Sequence, residues 1–203
     1  MIFEYPQRSH KRRHGPTGYK VYHPYKDWLR DEFIFRCVYC LSREQWYPSG
    51  DAAFSVDHFI PQSSARRVLD YDNLLYACLR CNSLKRDLPG VLNPCVHPYG
   101  SHVRVNDDGT VTALTVRGKI LIDTFRLDRQ GSEQLRREML QYFVWLQSDL
   151  RNAEIAPLVK RKFSFPDDLP DLRKKRPPKN SRRKGVNRCY YVLRERGKLP
   201  DMY

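Results

Sequence analysis

The sequence lacks any apolar run that approaches the roughly 20 residues needed for a membrane-spanning helix. Residues 1–18 carry charge but no apolar core of the kind found in secretory signal peptides. Acidic residues are also scarce, with 23 Asp and Glu against 37 Lys and Arg, which gives a net charge of +14. We therefore expect an intracellular, cytoplasmic protein that has no membrane partner and binds a polyanion.

Local patterns predict five elements of secondary structure. Residues 24–36 fit an amphipathic helix, and the apolar and β-branched stretch 53–60 before Pro61 fits a strand. A turn that runs into a short helix is expected in 73–88. Alternating residues around an Asp-Asp-Gly turn predict a β-hairpin over 102–116. Apolar residues at helical spacing predict a helix over 132–150.

Four of the six cysteines form two CxxC pairs separated by thirty-seven residues. In a reducing compartment such pairs favour a metal site over disulfides, because two CxxC turns complete the tetrahedral sulfur shell that structural zinc prefers. The sequence therefore predicts a structural Zn²⁺ and leaves the other two cysteines as ordinary thiols. The predicted zinc ligands are Cys37, Cys40, Cys78 and Cys81, and the remaining thiols are Cys95 and Cys189.

The segments beside the cysteines carry further motifs. Read in order, CVYC, VDHFIP, NLLYAC and CNSLK at residues 37–85 resemble the HNH endonuclease family in its four-cysteine form. The resemblance covers residues 30–95, about a third of the chain. It implies an α+β fold with a ββα-metal (His-Me finger) catalytic module and a zinc ribbon. A β-hairpin and a helix would follow this module, and the basic ends would be flexible.

The resemblance also implies roles for single residues. His58 would be the general base, Asp57 and Asn82 would bind a catalytic divalent ion, and Asn73 would orient the loop around His58. Phosphodiester hydrolysis needs such groups, because an imidazole near its usual pKa accepts a proton from water at neutral pH. Carboxylate and amide oxygens suit Mg²⁺ or Mn²⁺. The family often has His where this chain has Asn82, which leaves the preferred metal open.

Four basic residues near the motifs are candidate nucleic-acid contacts, although each could equally be a solvated surface residue. They are Lys85, Arg86, Arg66 and Arg67. The resemblance together with local composition divides the chain into a basic arm (1–23), the HNH module (24–95), a supporting hairpin and helix (96–170) and a basic tail (171–203). Nine Lys or Arg residues and no acid lie in 173–188. Such a run predicts either a flexible, solvated segment or a phosphate-binding extension.

The leading functional hypothesis is an endonuclease that nicks, or as a dimer cuts, double-stranded DNA to 5′-phosphate and 3′-hydroxyl ends. One alternative is a non-catalytic zinc-ribbon protein that binds nucleic acid, and another is an HNH nuclease that acts on RNA. The chain could act as a homodimer or in a larger assembly with another protein. Small HNH proteins of this layout also resemble the nuclease partners of bacterial anti-phage systems, which suggests antiviral defence as the setting.

Overall fold

The computed structural model describes residues 2–64, 67–88, 90–148 and 155–203. In this part of the chain, short helices accompany three two-stranded antiparallel sheets, and no helix is both long and apolar enough to cross a membrane. The chain forms two compact units. The hairpin unit consists of Met1–His10, Tyr39–Leu41 and Leu88–Ser164, and the cleft unit consists of Lys11–Val38, Ser42–Asp87 and Phe165–Tyr203.

Helix α1, Lys26–Glu32, belongs to the core of the cleft unit and buries Trp28 and Leu29 completely. The helix is shorter than the predicted 24–36, because Ile34 and Phe35 adopt φ values of 55° and 53°. Residues with left-handed backbone cannot continue an α-helix, and they turn the chain toward the first cysteine pair.

Strands β2 (Phe54–His58) and β3 (Leu74–Cys78) form an antiparallel pair in the same unit. Phe54 lies opposite Cys78 and His58 opposite Leu74, so the pair has a cysteine end and a histidine end. Helix α2, Leu79–Lys85, follows β3 without a loop.

Strand β3 corrects the sequence interpretation, which expected a turn and a short helix over 73–88. All five residues of β3 are buried. A strand that is buried on both faces shows no alternation of polar and apolar residues, so its short apolar run cannot be distinguished from a helical segment by periodicity.

The ends of the cleft unit pair with each other. Strand β1, Pro16–Thr17, is antiparallel to β6, Lys179–Asn180, and helix α6, Tyr190–Glu195, follows. His14 and Cys189 are fully buried beside these elements. Here the terminal segments pack against the fold, whereas the sequence predicted an arm and left the tail open.

The hairpin unit contains the predicted hairpin, with β4 at Val103–Val105 and β5 at Val111–Ala113. Helix α3, Val116–Phe125, was not predicted; it begins where the side chain of Thr115 accepts a hydrogen bond from the Gly118 amide. Helix α4, Gln130–Gln147, largely overlaps the predicted 132–150, of which residues 149 and 150 lie outside the described chain. Helix α5 is Ile155–Arg161.

Candidate functional site

A cleft of about 510 Å³ lies in the cleft unit beside the histidine end of the β2–β3 pair. One wall is Tyr22 and His23, which precede α1, and another is β2 itself. Residues in and after α2 line it as well. The cleft therefore contains three of the predicted site residues, Asp57, His58 and Asn82, together with Arg86.

His58 is the last residue of β2 and is 7% exposed. Its Nε2 lies 3.0 Å from the Val68 carbonyl oxygen, and its Nδ1 lies 3.0 Å from the Gln62 side-chain nitrogen. A carbonyl only accepts, so Nε2 carries the proton of the neutral ring and Nδ1 holds the lone pair. The Tyr22 ring packs edge-on at 4.9 Å. This arrangement makes Nδ1 the basic atom of the site.

The environment of His58 favours the neutral imidazole. Burial lowers its pKa below the usual value, and the nearby Lys85 ammonium also lowers it. The hydrogen bond to Val68 and the Asp57 charge oppose this effect without cancelling it. At neutral pH His58 is therefore in the form that can accept a proton.

Asn73 joins the two ends of the loop that follows β2. Its side-chain oxygen accepts from the Ile60 amide at 2.8 Å, and its side-chain nitrogen donates to the carbonyls of Ile60 and Arg67, both at 3.1 Å. Asn73 is 2% exposed. Since this loop supplies Val68, the carbonyl that orients His58, Asn73 sets the geometry of the imidazole indirectly.

Lys85 does not lie where the sequence placed it. It is 2% exposed, and its Nζ donates to Asp57 Oδ1 at 3.1 Å and to the His58 carbonyl at 2.8 Å. The last turn of α2 directs this ammonium into the interior, and the phosphate contact of Lys85 stays a prediction. Its charge instead compensates the buried carboxylate of Asp57.

Asn82 is half-buried in α2 and donates its side-chain nitrogen to Ser55 Oγ at 2.9 Å. Because the amide nitrogen makes this bond, the amide oxygen of Asn82 is the atom that can bind a cation. Together with the Asp57 carboxylate in the same cleft, it gives a set of hard oxygen donors that suits Mg²⁺ or Mn²⁺, with water and phosphate completing the shell. The donor chemistry thus fits the catalytic ion that the sequence predicts.

The predicted arginine contacts fall in different places. Arg86 is exposed and lines the cleft, with a hydrogen bond from Nε to the Ser83 carbonyl. Arg67 is exposed but bonded to Asp70, with Nε 2.7 Å from Oδ2. Arg66 lies outside the described residues. Of the two arginines that the structure describes, Arg86 is the one at the cleft.

The four cysteines of the CxxC pairs come together at the other end of the strand pair. Their sulfur atoms all lie within 4.8 Å of one another. Tetrahedral zinc with Zn–S bonds of about 2.3 Å requires sulfur separations of roughly 3.8 Å, so the cluster fits Zn²⁺. The Cys81 amide also points at Cys78 Sγ at 3.4 Å, which stabilises a thiolate. The cysteines meet here as the sequence predicts: Cys37, Cys40, Cys78 and Cys81.

Three residues of the site escaped sequence reasoning. Gln62 and Val68 contact the two nitrogens of His58, and Ser55 holds Asn82. Val68 acts through its backbone, so its side-chain type carries no signal. Gln62 and Ser55 are common surface residue types. The role of Gln62 depends on the path of the loop, and that of Ser55 on the face of β2 from which its side chain projects.

Comparison with known proteins finds a family model that matches part of the chain, including the cysteine cluster and the cleft residues Asp57, His58 and Asn82. Residues 37–88 match the family model described as HNH endonuclease. The matched segment contains the four clustered cysteines, which fit a zinc-binding form of that domain. Among curated proteins, none matches the chain.

Proposed function

We propose that the HNH endonuclease domain at residues 37–88 makes this chain a metal-dependent endonuclease that hydrolyses DNA phosphodiester bonds. The observation that carries the proposal is the neutral His58, whose Nε2 is held by the Val68 carbonyl and whose Nδ1 is its basic atom. Asp57 and Asn82 line the same cleft. In this reading β2, β3 and α2 are the ββα-metal module, and the four cysteines bind a structural Zn²⁺.

In the proposed reaction, His58 Nδ1 removes a proton from a water molecule as its oxygen attacks phosphorus. The bond from phosphorus to the 3′ oxygen breaks, and that oxygen takes a proton from solvent water, which gives 5′-phosphate and 3′-hydroxyl ends. Mg²⁺ or Mn²⁺, when bound by Asp57 and Asn82, supplies positive charge toward the phosphate and the leaving oxygen. Gln62 gives up its hydrogen bond to Nδ1 so that water can take its place.

The chain's own residues fix this reaction in space. Asn73 closes the loop, the loop carbonyl at Val68 holds the imidazole, and Lys85 holds the Asp57 carboxylate from the side of the interior. Arg86 at the cleft is placed for a flanking phosphate. Each contact restricts the freedom of a reacting group before substrate arrives, and such orientation is a large part of enzymatic rate enhancement.

The test is plasmid cleavage with added Mg²⁺ or Mn²⁺ by wild type and by His58→Ala. We expect the variant to lose at least about a hundredfold in rate, the usual contribution of a general base, and to keep its zinc and a cooperative thermal unfolding transition. Cleavage by His58→Ala at the parental rate would remove the assignment. Binding without hydrolysis by the wild type would favour the zinc-ribbon alternative.

The nucleic acid that is cut is a further hypothesis attached to this proposal. Digestion of matched DNA and RNA duplexes decides between DNA and RNA as substrate, and we expect DNA to be cut faster. The cytoplasmic location, the anti-phage setting, a homodimer or larger assembly, and the division of the chain into four segments stay predictions.

A further inference from the structure

A strongly basic segment outside the HNH domain forms an ordered part of the cleft unit. We call residues 173–188 the basic ribbon, since β6 lies within it. It contains nine Lys or Arg residues, and every one of them is exposed. They are Arg173, Lys174, Lys175, Arg176, Lys179, Arg182, Arg183, Lys184 and Arg188.

The backbone of the basic ribbon is fixed by the N-terminal segment of the same unit. β6 pairs with β1, and the Ser181 amide donates to the Gly15 carbonyl at 3.0 Å. Arg182 Nη1 donates to the His14 carbonyl at 2.8 Å. Gly185 packs so closely on Arg13 and His14 that an added Cβ would lie 2.1 Å from the Arg13 carbonyl oxygen.

Two buried carboxylates at the end of α1 hold this arrangement. Asp31 accepts from His14 Nε2 and from the Tyr190 amide, both at 2.7 Å, so one side chain ties down both terminal segments. Glu32 accepts the amides of Arg13 and His14 at 2.8 and 3.0 Å. The cationic side chains of the basic ribbon therefore project from an anchored backbone, which lowers the entropy lost when they bind a ligand.

The basic ribbon approaches the cleft at Pro178. Pro178 packs against Gly18, and Tyr22, four residues further, places its ring on His58. Four residues of extended chain span at most about 14 Å. Arg182 Nη1 also lies 3.4 Å from Asp72 Oδ1, on the residue next to Asn73.

We propose that the basic ribbon is a second phosphate-binding surface, which holds the backbone of double-stranded DNA beside the cleft. This rests on the proposed function for the identity of the partner. A backbone span of at most about 14 Å corresponds to no more than roughly four base pairs at 3.4 Å each. One duplex can therefore contact both the cleft and the basic ribbon.

The composition of the basic ribbon favours a duplex over a single strand. Proteins that hold single strands combine basic grooves with aromatic side chains on which bases stack. Residues 173–188 contain no aromatic residue. The nearby Tyr190 packs on Phe165 with ring centroids 4.8 Å apart, and Tyr191 lies under the Arg173 guanidinium.

Part of the charge is already neutralised within the fold. Arg173 and Lys174 pair with Asp171, Lys175 pairs with Asp27 and Arg182 pairs with Asp72. The other five cations of the basic ribbon make no ion pair within the described chain. They are Arg176, Lys179, Arg183, Lys184 and Arg188, and they are the ones we assign to DNA phosphates.

The experiment compares two triple variants that remove equal charge, from +14 to +11. The ribbon variant is Lys179→Gln/Arg183→Gln/Lys184→Gln. The control is Arg104→Gln/Arg117→Gln/Arg129→Gln, whose residues are exposed in the hairpin unit. Both carry His58→Ala to prevent cleavage, and binding to a 20-base-pair DNA duplex is measured across salt concentrations.

Each lost phosphate contact lowers the slope of log K against log salt by about 0.9. Relative to His58→Ala alone, we expect the magnitude of this slope to fall by about 2 to 3 in the ribbon variant and by well under 1 in the control. Equal slopes for the two variants would overturn the proposal. An equal loss on single-stranded DNA or on duplex RNA would overturn its assignment to duplex DNA.

Zinc content and thermal unfolding check that both variants are folded, and Arg176→Gln/Arg188→Gln repeats the test at the other two cations assigned to DNA phosphates. Cleavage by the wild-type chain is measured separately. A chain that fails to cut but shows the ribbon-specific slope loss keeps this surface and loses the nuclease assignment. A chain that cuts but shows no slope difference keeps the nuclease and loses the surface.

Discussion

The Lys85–Asp57 pair shows how one buried ammonium serves the candidate site. A buried carboxylate without a counter-charge is strongly unfavourable, and here the counter-charge comes from α2, three residues after Asn82. The ammonium also donates to the His58 carbonyl, so it contacts both catalytic candidates of β2 from the interior of the protein. A substrate reaching the cleft meets the other side of this carboxylate.

Lys85→Met should therefore lower the free energy of unfolding by about 3–5 kcal/mol in zinc-loaded protein without added Mg²⁺ or Mn²⁺, because it leaves the Asp57 charge buried without its ammonium. Chemical denaturation measures this. The double variant Lys85→Met/Asp57→Asn should lose less, since no charge is left behind. If Asp57 binds the catalytic ion, added Mg²⁺ should stabilise Lys85→Met more than wild type. Equal losses in the single and double variants would contradict the pairing.

The residue types of the site could be predicted, but their contacts could not. The motif order identified Asp57, His58 and Asn82 as candidates, and the structure brings all three to one cleft. The inward direction of Lys85 and the approach of Gln62 to His58 follow from side-chain orientation and loop path. Neither is encoded in the spacing of residues along a single sequence.

Among the structural elements, the two CxxC turns bring four cysteine sulfur atoms into one cluster. They lie at the cysteine end of a pair of five-residue strands, where a metal contributes what a small core cannot. In isolated zinc-finger peptides such binding is worth about 10–16 kcal/mol. Zinc is therefore expected to hold the HNH domain together.

Cys78→Ser should abolish stoichiometric zinc and lower the melting temperature by more than about 10 °C, because it removes one thiolate of the cluster. Elemental analysis and calorimetry measure the two effects. Cys95→Ser is the matched control, since Cys95 is half-buried and lies outside the cluster. We expect it to retain one zinc per chain. Loss of zinc in both variants, or in neither, would disprove the assignment.

The elements that sequence reasoning found are those with a periodic or turn signal of their own. The hairpin β4–β5 has alternation and an Asp-Asp-Gly turn, and α4 has helical spacing. Strand β3 and the β1–β6 pair lack such signals. β3 is uniformly buried. β1 and β6 have only two residues each, and they pair because Asp31 and Glu32 form hydrogen bonds with the segments before β1 and after β6.

Across the whole molecule, the cations behind the net charge of +14 do not all contribute equally to binding a polyanion. Several cations are consumed inside the fold, such as Arg30, which binds Glu44 and Asp168, and Arg136, which binds backbone carbonyls. The long-range attraction for a polyanion then comes from exposed cations such as those of the basic ribbon. Association with DNA should accordingly weaken as salt rises.

Each chain supplies one His58, and one general base serves one phosphodiester at a time. Because the two strands of a duplex run in opposite directions, a chain bound in one orientation presents one strand to the cleft. With supercoiled plasmid in excess over enzyme, we therefore expect nicked circles to accumulate first and linear DNA to appear after a lag. Gel electrophoresis over time measures both products, with His58→Ala as the control.

The dependence on enzyme concentration completes this test. Independent chains give a nicking rate that rises linearly with concentration, because each encounter cuts one strand. A dimer whose two clefts face opposite strands would produce linear DNA without a nicked intermediate, at a rate that rises with the square of concentration below its dissociation constant. That result would require two copies of the His58 cleft to act on one duplex, and it would replace the single-chain mechanism.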